Sequence, residues 1–205
     1  MKGFSLSVLA LVLAAPAFAG GVVEPVEPPV IIPADPGTDW TGAYGGLQFG
    51  TILDGSLCCG PQGEEPDVDG TLYGIFGGYR HDFGTFVIGA EVDLMMGDGE
   101  LDIGGIGEDF DIDSLLRVGV EAGFDLGSIF AYGTAGYASI TIAPPGGGAD
   151  DDGTGYFWGV GMDFLATDNV TIGAELLHHT FEDMGPADDA DLDALTLGLN
   201  VAYRF

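Results

Sequence analysis

From residue 40 onward, large apolar side chains alternate with small or polar ones along the chain. In the last segment, 192–205, Leu199 and Val201 fall on one face of an extended chain, and Thr196 and Asn200 fall on the other. A period of two is typical of β-strands. Eight segments follow this pattern, and they lie at 40–50, 71–81, 86–96, 112–124, 129–142, 155–165, 170–181 and 192–205.

The connections between these segments alternate between short and long. The tight turns fall at 82–84, 126–127 and 166–168, and the long connections at 51–70, 97–111, 143–154 and 182–191. Outer-membrane barrels have short periplasmic turns, longer external loops and strands of this length. The pattern therefore predicts an all-β protein, an eight-stranded antiparallel up-and-down transmembrane β-barrel with periplasmic termini and extracellular long loops.

A soluble β-sandwich or a lipocalin-like barrel also alternates, but its large apolar face points inward. Here the opposite face is built of Gly, Ala, Thr and a few charges, which would make a poor hydrophobic core. We therefore expect lipid outside and a narrow lumen that small and polar side chains fill. Aromatic residues near strand ends are expected to form interfacial girdles, and they are Tyr44, Tyr79, Trp158, Tyr203 and Phe205.

The chain is both apolar and strongly acidic. Its 205 residues include 33 Asp and Glu against 4 Lys and Arg, a formal net charge of -29, while 46% of residues are hydrophobic. A nucleic-acid partner is excluded, because binding nucleic acid requires a basic face. We expect most acids to lie in or beside the long connections, as a crown that attracts cations.

The first part of the chain is expected to lie outside the barrel. Lys2, an apolar run and the small-x-small sequence at 17–19 predict a signal peptide over 1–19. The run is too short for a membrane anchor, which needs about 20 apolar residues. Residues 20–39 are rich in proline and predict a semi-rigid periplasmic linker. The barrel domain is then expected over 40–205.

Several motifs resemble those of a known family. The first segment reads WTGAYGGLQFG, and GGYRHDF, FVIGAEVDL and a terminal AYRF follow. Together these resemble the small outer-membrane β-barrel proteins of Gram-negative bacteria, the Omp25/Opa-like and OmpA-barrel-like surface proteins. The resemblance implies a structural or surface antigen role among outer-membrane lipid and lipopolysaccharide, with no catalytic activity and no cofactor. It also implies that Phe205, with Tyr203 and Val201, is the signal that the barrel-assembly machinery recognises.

Inward positions carry charges that must be paired if they are buried. We expect Arg117 to meet three carboxylates in mid-barrel, which are Glu91, Glu121 and Glu175. A lower group near the periplasmic rim is expected to comprise Arg80, Arg204 and Asp163. Such a cluster is either a structural plug or the gate of a narrow porin-like channel, and the residues leave both readings open.

Acidic residues in the long connections are candidate cation ligands, because carboxylate oxygens suit Ca²⁺ and Mg²⁺. They are Asp109, Asp111 and Asp113 in one connection and Asp150, Asp151 and Asp152 in another. Their spacing does not match an EF-hand loop. The alternatives are divalent cations, including ions that bridge to lipopolysaccharide, and a plain solvated acidic face.

The remaining candidate chemistry is sparse. A lipid-modifying enzyme would need a His with a nearby Ser, and His178 or His179 with Ser139 is the available combination. Cys58 and Cys59 are adjacent in an oxidising compartment, which leaves a vicinal disulfide or an intermolecular bridge. The leading prediction is a structural surface barrel; a gated narrow channel and a lipid-modifying enzyme are the alternatives.

Overall fold

Eight β-strands form one closed barrel in the computed structural model, which describes residues 38–58, 67–103, 106–143, 151–184 and 190–205. The strands are β1 (Gly42–Cys58), β2 (Asp67–Asp82), β3 (Phe86–Ile103), β4 (Ile106–Asp125), β5 (Ile129–Ala143), β6 (Asp151–Thr167), β7 (Val170–Met184) and β8 (Ala190–Arg204). Each strand pairs antiparallel with its chain neighbours, and β1 also pairs with β8. These residues contain no helix long and apolar enough to span a membrane. The predicted barrel topology is confirmed.

The barrel has two distinct ends. Trp40, Phe205 and three short turns lie at one end, which we call the turn end, and the turns cover 83–85, 126–128 and 168–169. At the opposite end, which we call the loop end, the connections 59–66, 104–105, 144–150 and 185–189 lie outside the described residues. All strands therefore run between a turn end with tight connections and a loop end.

Two of the short turns share a sequence and a hydrogen bond. The carboxylate of Asp82 accepts from the backbone N–H of Gly84 at 2.6 Å, and that of Asp125 accepts from Gly127 at 2.7 Å. Both glycines adopt positive φ, +99° and +86°. An Asx turn followed by a left-handed residue explains the Asp-x-Gly sequence at these two positions.

The strands reach further toward the loop end than the sequence pattern predicts. The β3–β4 ladder continues to the pair Ile103–Ile106, so the prediction of a long loop at 97–111 is wrong. Strands of 15 to 20 residues exceed the roughly 9–11 residues that cross a bilayer. The sequence of these strand extensions resembles that of a loop, because the outward positions are acidic and the inward positions include glycines.

The outward face changes character along the barrel axis. Val120, Val160 and Leu199 are exposed apolar residues on the face that contacts lipid. Nearer the loop end, the exposed outward positions are acidic, as at Asp69, Asp98, Glu100, Asp111 and Asp152. The lipid-facing band of apolar residues therefore ends before the strands do. Beyond it, the outer surface of the barrel carries acidic residues.

Four of the five aromatic residues assigned to girdles are exposed on the outward face, and they are Tyr79, Trp158, Tyr203 and Phe205. Tyr44 is buried instead, so its assignment to a girdle is wrong. Tyr44 lies an even number of residues from Gln48, which is also buried, and the two share the inward face of β1.

Candidate functional site in the barrel lumen

Trp40 closes the turn end of the lumen. Its side chain is 1% exposed, and its ring packs against Phe130 with centroids 5.6 Å apart. The indole Nε1 donates to Asp125 Oδ1 at 3.2 Å and to the Gly127 carbonyl at 3.3 Å, while its backbone N–H donates to Asp82 Oδ2 at 3.0 Å. Asp125 and Gly127 therefore hold the indole and Asp82 holds the backbone of Trp40, so that the ring forms a floor.

Arg204 belongs to this floor and does not join Arg80 and Asp163, so that part of the predicted lower group is wrong. Its guanidinium lies 5.0 Å from the centre of the Trp40 ring and donates to the Asp39 carbonyl. As the last strand residue, Arg204 lies at the mouth, beyond the level of the buried charges. Hydrogen bonds from the Thr41 side chain and backbone hold the pKa of Asp39 below its ordinary value.

Above the floor, Arg80 joins two carboxylates in the first charged layer. Its Nε and Nη2 donate to the two Glu121 oxygens at 2.6 and 2.9 Å, and its Nη1 donates to Asp163 Oδ2 at 2.6 Å. All three side chains are buried. Glu121 was predicted to pair with Arg117, and that pairing is wrong.

The strand register explains why Glu121 meets Arg80. Arg80 on β2 is paired with Gly89 on β3, and Gly89 is paired with Glu121 on β4. A Cβ at Gly89 would come closer than 3.0 Å to the Glu121 carboxylate. The absent side chain leaves room for a bidentate ion pair between residues two strands apart. The number of residues from each turn does not show that Arg80 and Glu121 lie at the same height in the lumen, because neighbouring strands are offset.

Arg117 organises the second charged layer with a different set of partners. Its Nη2 donates to Asp93 Oδ1 at 2.6 Å and to Gln48 Oε1 at 3.0 Å, and lies 4.0 Å from Glu175 Oε2. Gln48 Nε2 also donates to Asp93 Oδ1, at 2.6 Å. Glu175 is therefore a looser partner, and the close partner is Asp93, which the sequence analysis did not assign to Arg117.

Two tyrosines complete the charged layers. The Tyr44 hydroxyl donates to Glu91 Oε2 at 2.8 Å and lies 3.0 Å from Glu121 Oε1. The Tyr132 hydroxyl donates to Glu175 Oε1 at 2.8 Å. Glu91, predicted to contact Arg117, is instead held by Tyr44. The missed tyrosines share the inward parity of their strands, which is the sequence signal that could have found them.

A common device brings these side chains together. In each case a glycine on the middle of three strands faces the lumen between two partners, and a Cβ there would come closer than 3.0 Å to one of them. We call these positions glycine windows. The four sets are Tyr44–Gly78–Glu91, Arg80–Gly89–Glu121, Tyr132–Gly161–Glu175 and Asp163–Gly173–Asn200. The windows explain part of the high glycine content.

The loop-end half of the lumen is apolar, contrary to the expectation of a small polar interior throughout. Its buried side chains form one cluster of Val68, Leu72, Met95, Ile112, Leu115, Ala138, Ile140, Phe157, Leu177, Phe181 and Leu192. The outward positions at this level include acidic residues such as Asp69 and Asp98. A barrel wall with water outside needs an apolar interior to gain from burial.

The two histidines point to opposite faces, as adjacent strand residues do. His179 is buried between Phe157 and Phe181, with ring centroids 5.9 and 6.0 Å away. His178 faces outward and stacks on Trp158 at 5.6 Å. Ser139 lies between buried Ala138 and Ile140 and therefore faces outward from β5. The structure does not bring Ser139 together with His179, so that catalytic combination is wrong.

The cation candidates are only partly within the described part of the chain. Asp111, Asp113 and Asp152 are exposed, and Asp152 accepts a hydrogen bond from Thr141 at 2.8 Å. Among the described residues, no three His, Cys, Asp or Glu side chains converge as metal ligands. Several predictions fall outside the described residues or side chains, namely those on 1–37, Cys58, Cys59, Asp109, Asp150 and Asp151.

The predicted assembly signal lies on the outward face. Val201, Tyr203 and Phe205 are exposed, and the rings of Tyr203 and Phe205 meet edge to face at 5.2 Å. These side chains are accessible at the turn end of β8. Their recognition by the assembly machinery stays a prediction.

Known proteins share this architecture. A family model described as the outer membrane protein beta-barrel domain matches residues 5–205. A 22 kDa outer membrane protein of Rhizobium leguminosarum bv. viciae is 29% identical over 165 residues, which cover 79% of this chain and 72% of the relative.

Two solved structures have the same fold at low sequence identity. OprG of Pseudomonas aeruginosa aligns with a TM-score of 0.56 at 14% identity, covering 82% of this chain and 98% of OprG. Neisserial surface protein A aligns with a TM-score of 0.51 at 16% identity, covering 80% of this chain and 99% of its own. The chain belongs to the outer membrane protein β-barrel family, and its place is the cell outer membrane.

Proposed function

We propose that the chain is a structural surface barrel of the outer membrane, with no catalytic activity and no open pore. The observation that carries this proposal is the filled lumen. From the turn end upward, the described residues form the Trp40 floor, two charged layers around Arg80 and Arg117, and the apolar cluster. Side chains thus occupy each level of the lumen that the structure describes.

The charged layers favour a plug over a gate. Arg80 makes three hydrogen bonds to two buried carboxylates, and Arg117 is bonded to Asp93 and Gln48. Removing one partner of a buried ion pair costs about 3–5 kcal/mol. An ion path through this region would have to break several such contacts and then cross an apolar segment.

The absence of catalysis is supported by the contacts of the inward carboxylates and of His179, which are made to other side chains of the lumen. The inward carboxylates bond to Arg80, Arg117 and two tyrosines, and His179 lies between two phenylalanine rings. A general base needs a substrate atom within hydrogen-bond reach. His179 lines a small cavity inside the apolar cluster, and among the described residues no carboxylate or serine lines that cavity with it.

We place both termini in the periplasm and the loop end outside the cell. Short turns on the periplasmic side are typical of such barrels, and the acidic outward positions at the loop end support the same orientation. Carboxylates there would meet the phosphates of lipopolysaccharide through bridging divalent cations, because Ca²⁺ and Mg²⁺ favour oxygen ligands. The barrel-assembly machinery is the expected periplasmic partner, through Phe205.

The pore is tested by planar-bilayer recording of the purified protein. We expect no stepwise conductance from the wild type or from Arg117→Lys, which keeps the charge at the same level. Regular conductance steps from the wild type would overturn the structural assignment in favour of the gated channel. A pore seen only after Arg117→Ala would show that the plug is what closes the barrel.

Orientation is tested with single cysteines in a Cys58→Ser/Cys59→Ser background. Asp152→Cys lies near the loop end, and Leu126→Cys lies in an exposed short turn. A membrane-impermeant maleimide applied to intact cells should label the first and not the second. Labelling of Leu126→Cys alone would reverse the proposed orientation.

A further inference from the structure

The two charged layers hold more negative than positive groups. Five carboxyl side chains face two guanidiniums, those of Arg80 and Arg117, and the carboxyls are Glu91, Asp93, Glu121, Asp163 and Glu175. Burying a charge without a compensating partner is costly. Around Arg80, one guanidinium serves both Glu121 and Asp163. This first layer therefore lacks one positive charge if both carboxyls are ionised.

Two oxygen atoms beside this layer have no hydrogen-bond partner within the part of the chain that the structure describes. Asp163 Oδ2 accepts from Arg80, but among the described residues neither Asp163 Oδ1 nor Asn200 Oδ1 has a partner. The two residues are only 3% and 8% exposed. Buried polar atoms nearly always have a partner in the protein, a water or an ion. Both atoms are acceptors, so the missing partner must be positive or must donate hydrogen bonds.

The two oxygens converge on the same space. Gly173 on β7 is paired with Asp163 on β6 and with Asn200 on β8, so the three residues share one level. A Cβ on Gly173 would come closer than 3.0 Å to Asp163 Oδ1, to Asn200 Oδ1 and, at 2.9 Å, to Asn200 Nδ2. This glycine window thus has an acceptor oxygen on each side, and Gly173 has no side chain to fill the space between them.

We propose that the space over Gly173 binds a monovalent inorganic cation of the Na⁺ class. Asp163 Oδ1 and Asn200 Oδ1 are its protein ligands, and water completes its coordination. Hard oxygen donors suit such an ion, and a single positive charge neutralises the Arg80 layer. Among the described residues the site has neither imidazole nor thiolate ligands, which separates it from transition-metal chemistry. The bound ion would link β6 and β8 across Gly173 of β7.

The first experiment measures urea unfolding of the full protein in detergent micelles at fixed pH and ionic strength. We expect the unfolding midpoint to be higher in NaCl than in choline chloride, and the increase to saturate with Na⁺. Asn200→Leu removes one ligand at similar volume and should abolish this dependence. Thr196→Val is the matched control, since Thr196 is also buried on the inward face of β8; it should retain the dependence.

The second experiment locates the ion. Crystals of the wild type soaked in Tl⁺, a heavy monovalent cation, should show an anomalous peak within bonding distance of both oxygens. No anomalous peak and equal midpoints in the two salts would overturn the proposal, leaving a bridging water or an Asn200 amide turned to donate to Asp163. If Asn200→Leu does not fold, the wild-type salt comparison and the Tl⁺ peak still decide.

Discussion

The turn-end half of the lumen is built from paired charges, whereas the loop-end half is built from packed aliphatic and aromatic side chains. Both halves belong to the same eight strands and share one alternation of inward and outward positions. They differ in what lies outside: exposed apolar residues such as Val160 surround the charged half, whereas acidic residues such as Asp98 join apolar ones such as Met96 around the apolar half. The interior of the barrel thus becomes apolar toward the end where acidic residues appear on its outer face.

The largest expected effect comes from breaking the charged half. Arg80→Ala leaves Glu121 and Asp163 buried without their shared cation, and we expect a loss of about 3–5 kcal/mol in the free energy of unfolding. Urea unfolding in micelles measures it. Arg204→Ala is the control, because Arg204 is only half-buried and should cost far less. Equal losses for the two variants would contradict the assigned role of Arg80.

The apolar half should respond to cavity formation. Leu177→Ala removes a buried side chain from the cluster, and we expect a loss of about 2–5 kcal/mol, depending on how far the neighbours relax. The same unfolding assay applies. Leu53→Ala, at an exposed outward position of β1, creates no cavity and should cost much less. Similar losses at both sites would mean that the loop-end half is not a packed core.

A glycine window can be closed by one methyl group. Gly89→Ala places a Cβ against the Glu121 carboxylate and should cost about 1–3 kcal/mol, which is typical of overpacking. Gly133→Ala is the matched control, since its nearest neighbour atom would be 3.8 Å away. We expect the control to lie within about 0.5 kcal/mol of the wild type. A harmless Gly89→Ala would argue against the window.

The smallest effect is expected outside both halves, at Asp39. Because its pKa is lowered by Thr41, its contribution to stability is complete above the ordinary carboxyl range and is lost as the pH falls through the lowered pKa. Unfolding midpoints measured at decreasing pH should show a small acid loss in the wild type that Asp39→Asn lacks. Identical profiles for the two proteins would remove this contribution.

Much of the fold could be predicted because the lipid-facing stripe is strong. The parity of Leu199 and Val201 against Asn200 places each side chain correctly, and the same holds for inward Glu91, Arg117 and their neighbours. The sequence pattern did not predict the strand extensions at the loop end, because the row of lipid-facing apolar residues stops at the edge of the bilayer. Inward apolar residues such as Val68 were present in the sequence, but acidic neighbours made these stretches resemble loops.

The partners in the lumen could not be predicted from parity alone. Arg80 meets Glu121 because Gly89 lies between them in the register, and register is a property of three strands together. Glu91 and Glu121 are the wrong partners for Arg117, because the heights of residues on different strands follow from the register and not from their distance to a turn. Once the register is known, Asp93 follows directly as the cross-strand neighbour of Arg117.

The glycine windows also bear on how the barrel assembles without error. A strand that slips by two residues keeps every side chain on its own face, so lipid contact cannot distinguish the slipped barrel from the native one. The windows can distinguish them, because a slip at β3 moves Gly89 away from Arg80 and Glu121 and puts a side chain where the ion pair must pass. The four glycine windows lie on different strands. They therefore favour the native register over a two-residue slip, which the lipid-facing side chains alone would not disfavour.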